Sequence, residues 1–179
     1  MGFVSLVPIY LTSRLDLIDP LRLTLERAFS RPVRVRPPWF DPEHAFSMAR
    51  GQYDSTRLLA ALLDEPPDQG EKVIAIAGVD LFVPVLTYVF GEAQLGGRAA
   101  VASLHRLDDE VYGLPPNREL LGQRLAKEAI HELGHTFGLL HCRDSRCVMR
   151  PSTVVEEIDL KTGEFCARCR TAVRPRPFS

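Results

Sequence analysis

The residues best able to do chemistry begin with the segment His131-Glu132-Leu133-Gly134-His135. Histidines four positions apart lie one above the other on one face of an α-helix, so both imidazoles can bind a single Zn²⁺. Glu132 lies about 100° around the helix from His131, which puts its carboxylate beside such a metal rather than on it. The segment therefore predicts a zinc site with an adjacent general base.

A third imidazole, that of His141, follows six residues after His135. In a continuous helix His141 would point away from the metal, because six residues correspond to a rotation of about 600°. Gly138 lies between the two histidines and can adopt the left-handed conformation that ends a helix. We therefore expect the chain to turn at Gly138 and to bring His141 back as a third ligand.

This ligand set indicates hydrolytic chemistry. Zinc held by three neutral imidazoles keeps its full positive charge and an open fourth position, which lowers the pKa of a bound water toward about 7. Glu132 would take a proton from that water as it attacks a carbonyl, and would pass the proton to the leaving amine. The metal would stabilise the developing oxyanion.

Other polar residues have ordinary interpretations. Glu128 precedes Glu132 by one helical turn and is interpreted as a solvated carboxylate on the helix face, with a supporting role near the metal as the alternative. His44 and His105 have no partners at ligand spacing, so we expect them at the surface or in satisfied core positions. The last ten residues, from Arg170, are basic and proline-rich and are expected to form a surface or disordered tail.

The four cysteines follow the histidines directly, with the spacing C-x4-C-x18-C-x2-C. They are Cys142, Cys147, Cys166 and Cys169. Two close pairs separated by a longer loop are typical of a closed tetrahedral zinc site, which here would hold the turn beside His141. Two disulfides, or a redox pair at Cys166 and Cys169, are the alternatives. Disulfides need an exported chain, and the apolar N-terminus is interpreted as a strand because it lacks the features of a signal peptide.

Alternating strands and helices precede the metal-binding segment. A first strand at residues 1–10 is followed by a helix that Asp19 caps and Pro20 begins, and by a strand at residues 31–36. Asp54 opens a second helix, and residues 72–77 form an apolar run typical of a strand buried on both faces. This βαβαβ order predicts a mixed α/β fold with a largely parallel sheet.

Two further elements complete the predicted fold. Strand-like runs within residues 87–105 flank Gln94-Leu95-Gly96-Gly97, which is typical of a hairpin and adds antiparallel strands. Asn117 can cap a long helix whose apolar residues recur at three- and four-residue spacing and which carries the first two histidines.

The run His131-Glu132-x-x-His135-x-x-Gly138-x-x-His141, with Met149 downstream, resembles the metzincin metallopeptidases. The four cysteines, one of them adjacent to the third histidine, make the chain similar to the archaemetzincin family in particular. The resemblance implies a mixed twisted sheet with an antiparallel edge strand, an active-site helix, and a small C-terminal subdomain that holds a second zinc.

The resemblance also implies roles for individual residues. His131, His135 and His141 would bind the catalytic zinc, Glu132 would be the base, and Met149 would form a turn beneath the metal. Cys142, Cys147, Cys166 and Cys169 would bind a structural zinc. One compact catalytic domain would comprise an N-terminal subdomain, residues 1–141, and a C-terminal subdomain, residues 142–179.

Composition limits the partners. The 179 residues include 22 basic and 23 acidic side chains, so the formal net charge of −1 argues against a protein that coats nucleic acid. The longest apolar stretch, residues 73–91, contains Asp80 and Pro84 and is interpreted as two buried strands around a turn rather than a membrane span. We expect a monomeric cytoplasmic protein without nucleic-acid or membrane partners.

The function predicted from the sequence is that of a zinc metallopeptidase with two zinc ions and a peptide or protein substrate. A zinc-dependent hydrolase of a non-peptide amide, and a zinc-stabilised peptide-binding module with little turnover, are the alternatives. An extended substrate would add as a strand to the sheet edge. Residues 98–104 are the first candidate for that edge, and residues 88–93 are the second.

Overall fold

The computed structural model describes residues 2–66 and 68–174. The described strands are β1 (Val4–Ile9), β2 (Val33–Val35), β3 (Phe46–Ser47), β4 (Gln52–Asp54), β5 (Lys72–Ala77), β6 (Leu81–Phe82), β7 (Gly91–Ala93) and β8 (Ala99–Ser103). The described helices are α1 (Ile18–Phe29), α2 (Ser55–Leu63), α3 (Arg118–Thr136), α4 (Val155–Leu160) and α5 (Ala167–Val173). Short 3-10 turns join several of them.

The main sheet has five strands in the order β2-β1-β5-β8-β7. Strand β1 pairs in parallel with both β2 and β5, and β5 pairs in parallel with β8. Strand β7 is antiparallel to β8 and forms one edge of the sheet. The predicted βαβαβ order and hairpin are therefore confirmed, and the fold class is mixed α/β.

The two faces of the sheet are covered by different helices, because successive side chains of a strand point to opposite faces. Ile74 and Ile76 belong to a core that includes the buried faces of α1 and α3. Val73 and Ala75 belong to the core under α2. The side chains that β8 turns toward α3 are alanines, so little volume separates this helix from the sheet.

The predicted helix starts have different outcomes. Asp54 caps α2, since its carboxylate accepts hydrogen bonds from Thr56 N–H at 3.0 Å and Arg57 N–H at 3.2 Å. Asp19 does not cap α1, and that prediction is wrong. A 3-10 turn at Leu15–Leu17 continues directly into α1 at Ile18, so Asp19 lies within the first helical turn.

A second, smaller sheet was not predicted. It has the strand order β3-β4-β6, and its strands contain only two or three residues, too few for a periodic pattern. The apolar stretch at residues 73–91 contains the buried strands β5 and β6 around a turn, as expected. Among the described residues there is no helix with the length and apolar character needed to cross a membrane.

The C-terminal segment shares the main core. The ring of Phe165 packs edge-on against Phe29 of α1, with centroids 5.5 Å apart. The expectation of a surface tail from Arg170 is wrong at its start, because α5 continues to Val173, whose side chain is buried. The rest of the proposed tail, residues 175–179, lies outside the described residues.

Candidate active site

Helix α3 presents His131 and His135 on one face. The predicted cap is present, since Asn117 Oδ1 accepts a hydrogen bond from Leu120 N–H at 3.0 Å. The Nε2 atoms of His131 and His135 lie 3.2 Å apart. Two ligands of a tetrahedral zinc ion, each about 2.1 Å from the metal, are about 3.4 Å from one another. The separation of the two imidazoles therefore fits a shared zinc ion.

The helix ends where Gly138 was expected to end it. Gly138 has φ +85°, its N–H donates to His135 O at 2.9 Å, and Leu139 N–H donates to Gly134 O at 3.3 Å. The chain then reverses and brings His141 back, so that the ligand nitrogens of the three histidines lie within 4.8 Å of one another. We call His131, His135 and His141 the histidine centre.

Backbone carbonyls fix the orientation of the two helical imidazoles. His131 Nδ1–H donates to Val148 O at 2.9 Å, and His135 Nδ1–H donates to Leu139 O at 2.6 Å. A carbonyl only accepts, so each Nδ1 carries the proton and each Nε2 is free to bind a metal. Burial lowers the pKa of both histidines, that of His131 strongly, which favours the neutral form that metal binding requires.

Met149 lies beneath the histidine centre. Its side chain is fully buried, and its carbonyl accepts a hydrogen bond from Cys142 N–H at 2.9 Å. A Cβ atom added to Gly134, between the two helical histidines, would lie only 2.6 Å from Met149 Sδ. The turn that contains Met149 therefore packs directly against the part of α3 that carries His131 and His135.

Glu132 lies between the histidine centre and the sheet edge. Its side chain is almost fully buried, and burial, assisted by the nearby Glu128 carboxylate, raises its pKa well above the ordinary value. A Cβ atom added to Gly91 of β7 would lie 2.5 Å from Glu132 Cγ. Sequence reasoning did not single out Gly91, although a glycine inside a strand pattern is a known sign of close approach.

The hairpin between β7 and β8 is attached to the end of α3. Gly96 N–H donates to His135 O at 2.8 Å. Lys72 Nζ donates to Gly97 O at 2.5 Å and to Thr136 O at 2.7 Å, so one ammonium joins the hairpin turn to the last turn of the helix. These bonds hold β7 at a fixed position above the histidine centre.

Strand β7 offers backbone groups to the cleft. Phe90 O accepts from β8 at 2.8 Å and Gln94 N–H donates to β8 at 3.0 Å. Because antiparallel pairing alternates, the N–H and C=O groups of Gly91 and Ala93 point away from β8, toward the open edge. The first predicted docking stretch, residues 98–104, is therefore wrong, since β8 is an inner strand bonded to both β5 and β7.

Two cavities lie beside Glu132. The first cavity, about 450 Å³, is lined by Leu86, Thr87, Tyr88, Val89, Phe90, Gly91, Glu128, His131, Glu132, His141, Pro151, Ser152 and Thr153. The second cavity, about 360 Å³, is lined by Gly91, Ala93, Leu95, His131, Glu132, His135, Leu140 and His141. Glu132 and His141 border both cavities, so a chain that crosses from one to the other passes over the histidine centre.

Glu128 is not the solvated carboxylate that was predicted. It is only 3% exposed, and its Oε1 lies 2.8 Å from Nζ of Lys161, the residue directly after α4. The sequence prediction fails because the lysine that compensates this charge comes from a separate element of the fold. His44, which is exposed, and His105, which is half-buried, lie outside the histidine centre.

The four cysteines form a second cluster, which we call the cysteine centre. The sulfur atoms of Cys142, Cys147, Cys166 and Cys169 lie within 4.8 Å of one another. The Cys142 and Cys166 sulfurs are 3.8 Å apart, far beyond a disulfide bond of about 2.05 Å. Ligands of a tetrahedral zinc at about 2.3 Å are also about 3.8 Å apart, so the spacing fits zinc rather than the disulfide alternative.

The surroundings of the cysteine centre favour the thiolate form of Cys166, the half-buried member of the cluster. The backbone N–H of Cys169 lowers the pKa of Cys166 to about 7. Burial raises the pKa of Cys147 and of Cys169. Arg168 places a guanidinium nitrogen 3.9 Å from Cys142 Sγ.

Comparison with known proteins decides the family. The sequence profile of peptidase family M54 matches residues 31–175. The chain belongs to this family. It is an archaemetzincin-family protein, and the archaemetzincin of Methanocaldococcus jannaschii is 43% identical over 135 residues, which cover 75% of this chain and 73% of that protein.

Two solved structures have the same fold as this chain. The archaemetzincin of Methanopyrus kandleri superposes with a TM-score of 0.82 and 36% identity, covering 96% of this chain and 93% of that chain. A zinc-dependent peptidase from Methanocorpusculum labreanum gives a TM-score of 0.84 and 29% identity, covering 95% and 99% of the two chains. The chain is thus a member of a family of zinc metallopeptidases.

Proposed function

We propose that the chain hydrolyses peptide bonds, with a catalytic zinc at the histidine centre and a structural zinc at the cysteine centre. The observation that carries this proposal is the convergence of three metal-binding nitrogens within 4.8 Å, beside a buried glutamate and under an open strand edge. Zinc bound by three neutral imidazoles supplies a Lewis acid with an open position for water or a carbonyl oxygen.

The protein's own residues would handle the protons and the substrate. Glu132, bordering both cavities, accepts a proton from the attacking water and donates it to the leaving amine. Gly91 and Ala93 bind the extended peptide through their outward N–H and C=O groups.

The cysteine centre would have a different task. Cys142 directly follows His141, and its N–H bonds to Met149 O, so a zinc held by the cysteines fixes both the third histidine and the turn below it. Four free cysteines also favour a reducing compartment, and we place the protein in the cytoplasm, as a monomer that acts on peptides without nucleic-acid or membrane partners.

A peptide library incubated with zinc-loaded protein tests the proposal. Mass spectrometry should find new termini with the wild-type protein, and the rate should fall by about 10² or more for Glu132→Gln, which keeps the shape but removes the base. Metal content and thermal stability should be unchanged in that variant. Cleavage by Glu132→Gln at the wild-type rate would contradict the role of Glu132. Absence of cleavage by the zinc-loaded wild-type protein would contradict the peptidase function.

A further inference from the structure

The first cavity contains a buried acid for which the proposed reaction has no use. Glu128 is one helical turn before Glu132, is 3% exposed, and lines this cavity. Lys161, whose side chain is fully enclosed, reaches Glu128 Oε1 at 2.8 Å and also donates to Arg150 O at 3.1 Å. The ammonium does not line the cavity, so the carboxylate is the charged group of this pair at the cavity wall.

Lys161 satisfies the Glu128 carboxylate only in part. Glu128 Oε1 is enclosed and lies against the Lys161 ammonium, 2.8 Å away. An ionised carboxylate has about four lone-pair sites, of which the single ammonium can use only a part. The part of the carboxylate that the ammonium does not use lies at the wall of the first cavity, where a donor on a ligand can reach it.

The rest of the first cavity suits the stem of a long side chain. Its walls include Leu86, Val89, Phe90 and Pro151, and its volume of about 450 Å³ exceeds that of any amino-acid side chain. Tyr88 closes one part of the wall, since its hydroxyl donates to Thr153 O at 3.0 Å across the cavity. An apolar stem would contact these walls while its polar end reached Glu128.

We propose that the first cavity binds a long substrate side chain that ends in an N–H donor, and that Glu128 is the residue that selects it. The proposal rests on the peptidase function and names its substrate class: peptides with glutamine, lysine or arginine beside the scissile bond. Because Lys161 already compensates the charge of Glu128, we expect Glu128 to select a substrate side chain for its N–H donor more than for a positive charge. An acidic side chain has no proton to donate and would face a carboxylate, so it is excluded.

Two matched pairs of peptides test the inference. At each position flanking the scissile bond, glutamine is compared with glutamate, which has the same shape, and lysine with norleucine, which lacks the amine. We expect kcat/KM to favour the donor in each pair by about 10- to 100-fold, the usual range for a hydrogen bond to a charged group. Equal cleavage within both pairs would overturn the inference.

Variants assign the selectivity to Glu128. Glu128→Gln should reduce both ratios to within about threefold, because a carboxamide can also donate. If Lys161, left unpaired, prevents folding, Glu128→Gln combined with Lys161→Met removes both charges and should give the same loss. Glu119→Gln makes the same change on an exposed part of α3 and should keep the wild-type ratios. Unchanged ratios in a folded, zinc-loaded Glu128 variant would also overturn the inference.

Binding separates this inference from the proposed function. The same peptides can be titrated against zinc-loaded Glu132→Gln protein and their affinities measured by fluorescence anisotropy. Preference for the donor in binding, without cleavage by the wild-type protein, would support the cavity's selectivity and contradict the peptidase function. Cleavage by the wild-type protein without any preference for the donor would support the peptidase function and contradict the cavity's selectivity.

Discussion

The histidine centre and the cysteine centre adjoin one another at His141 and Cys142, yet they are constructed in opposite ways. In the histidine centre exposure increases from the buried His131 through the half-buried His135 to the exposed His141. In the cysteine centre three cysteines are buried and Cys166 is half-buried. One centre is open on the side that faces the cleft, and the other is enclosed by the core.

The difference in exposure suits the histidine centre to a reaction and the cysteine centre to structural support. A zinc ion with neutral ligands and an open side keeps the charge and the coordination position that a reaction needs, whereas four thiolates fill the coordination shell and compensate the charge. Two of the three histidines of the open centre lie on the long helix α3, whose geometry is set by its own backbone. The cysteines of the closed centre lie in a loop and at the short helix α5, which the proposed structural zinc would hold together.

The largest expected effect is that of Cys147→Ser, which removes a buried ligand of the closed centre. Structural zinc contributes to folding directly, so we expect a stability loss of several kcal/mol and a fall from about two zinc ions per chain to one or fewer. Thermal unfolding and elemental analysis measure both. A variant that keeps two zinc ions and the wild-type melting temperature would contradict the structural role.

His135→Ala makes the corresponding change in the open centre. We expect one zinc ion per chain to remain at the cysteines, the melting temperature to fall less than for Cys147→Ser, and peptide cleavage to be lost. The same elemental analysis, with an activity assay, measures this. A loss of thermal stability as large as that of Cys147→Ser would show that the histidine centre also supports the fold, and that the two centres do not have separate roles.

The open centre also predicts sensitivity of the strand above it. Ala93→Pro removes an outward N–H of β7 without breaking a bond to β8, so we expect KM to rise about tenfold while zinc content and fold are retained. Ala93→Ser keeps the N–H and is the control. A proline variant with unchanged KM would mean that the peptide does not pair with β7.

Sequence patterns predicted the parts of this arrangement that are local along the chain. The histidine spacing, the turn at Gly138 and the cap at Asn117 depend on residues within one or two helical turns, where backbone geometry alone decides positions. The order of the strands is not local. Assigning β7 rather than β8 to the sheet edge requires knowing that β5 pairs with β8 on its other side.

The burial of Glu128 was missed for the same physical reason. Its charge is compensated by Lys161, a residue 33 positions later, and nothing in the helix periodicity indicates that α4 delivers this ammonium to α3. Gly91 was also missed, although a glycine within a strand pattern is a signal of close approach. The absence of a side chain at Gly91 is what allows Glu132 to lie against β7. Contacts between residues that are distant in sequence could therefore be found only from the structure, whereas the chemistry within one segment could be predicted from the sequence.

The smallest expected effect concerns the packing between the two centres. Gly134 and Gly122 both lie inside α3, and replacing a helical glycine by alanine ordinarily stabilises a helix by about 1 kcal/mol. At Gly122 the added Cβ would meet its nearest neighbour, Leu17 Cδ2, at an ordinary 3.7 Å, so Gly122→Ala should raise the melting temperature.

At Gly134 the added Cβ would lie 2.6 Å from Met149 Sδ and 3.5 Å from Phe165, in a part of the core that both centres share. Overpacking of this kind costs about 1–3 kcal/mol, which offsets the helix gain or exceeds it, so Gly134→Ala should be less stable than Gly122→Ala by about 1 kcal/mol or more. Displacement of Met149 would also shift the turn under the histidines, and we expect kcat to fall while the zinc bound by the cysteines is retained. Thermal unfolding of the two variants side by side measures the first difference. Equal stabilisation by both alanines, with full activity, would mean that Met149 can move freely and that the open centre does not depend on the turn beneath it.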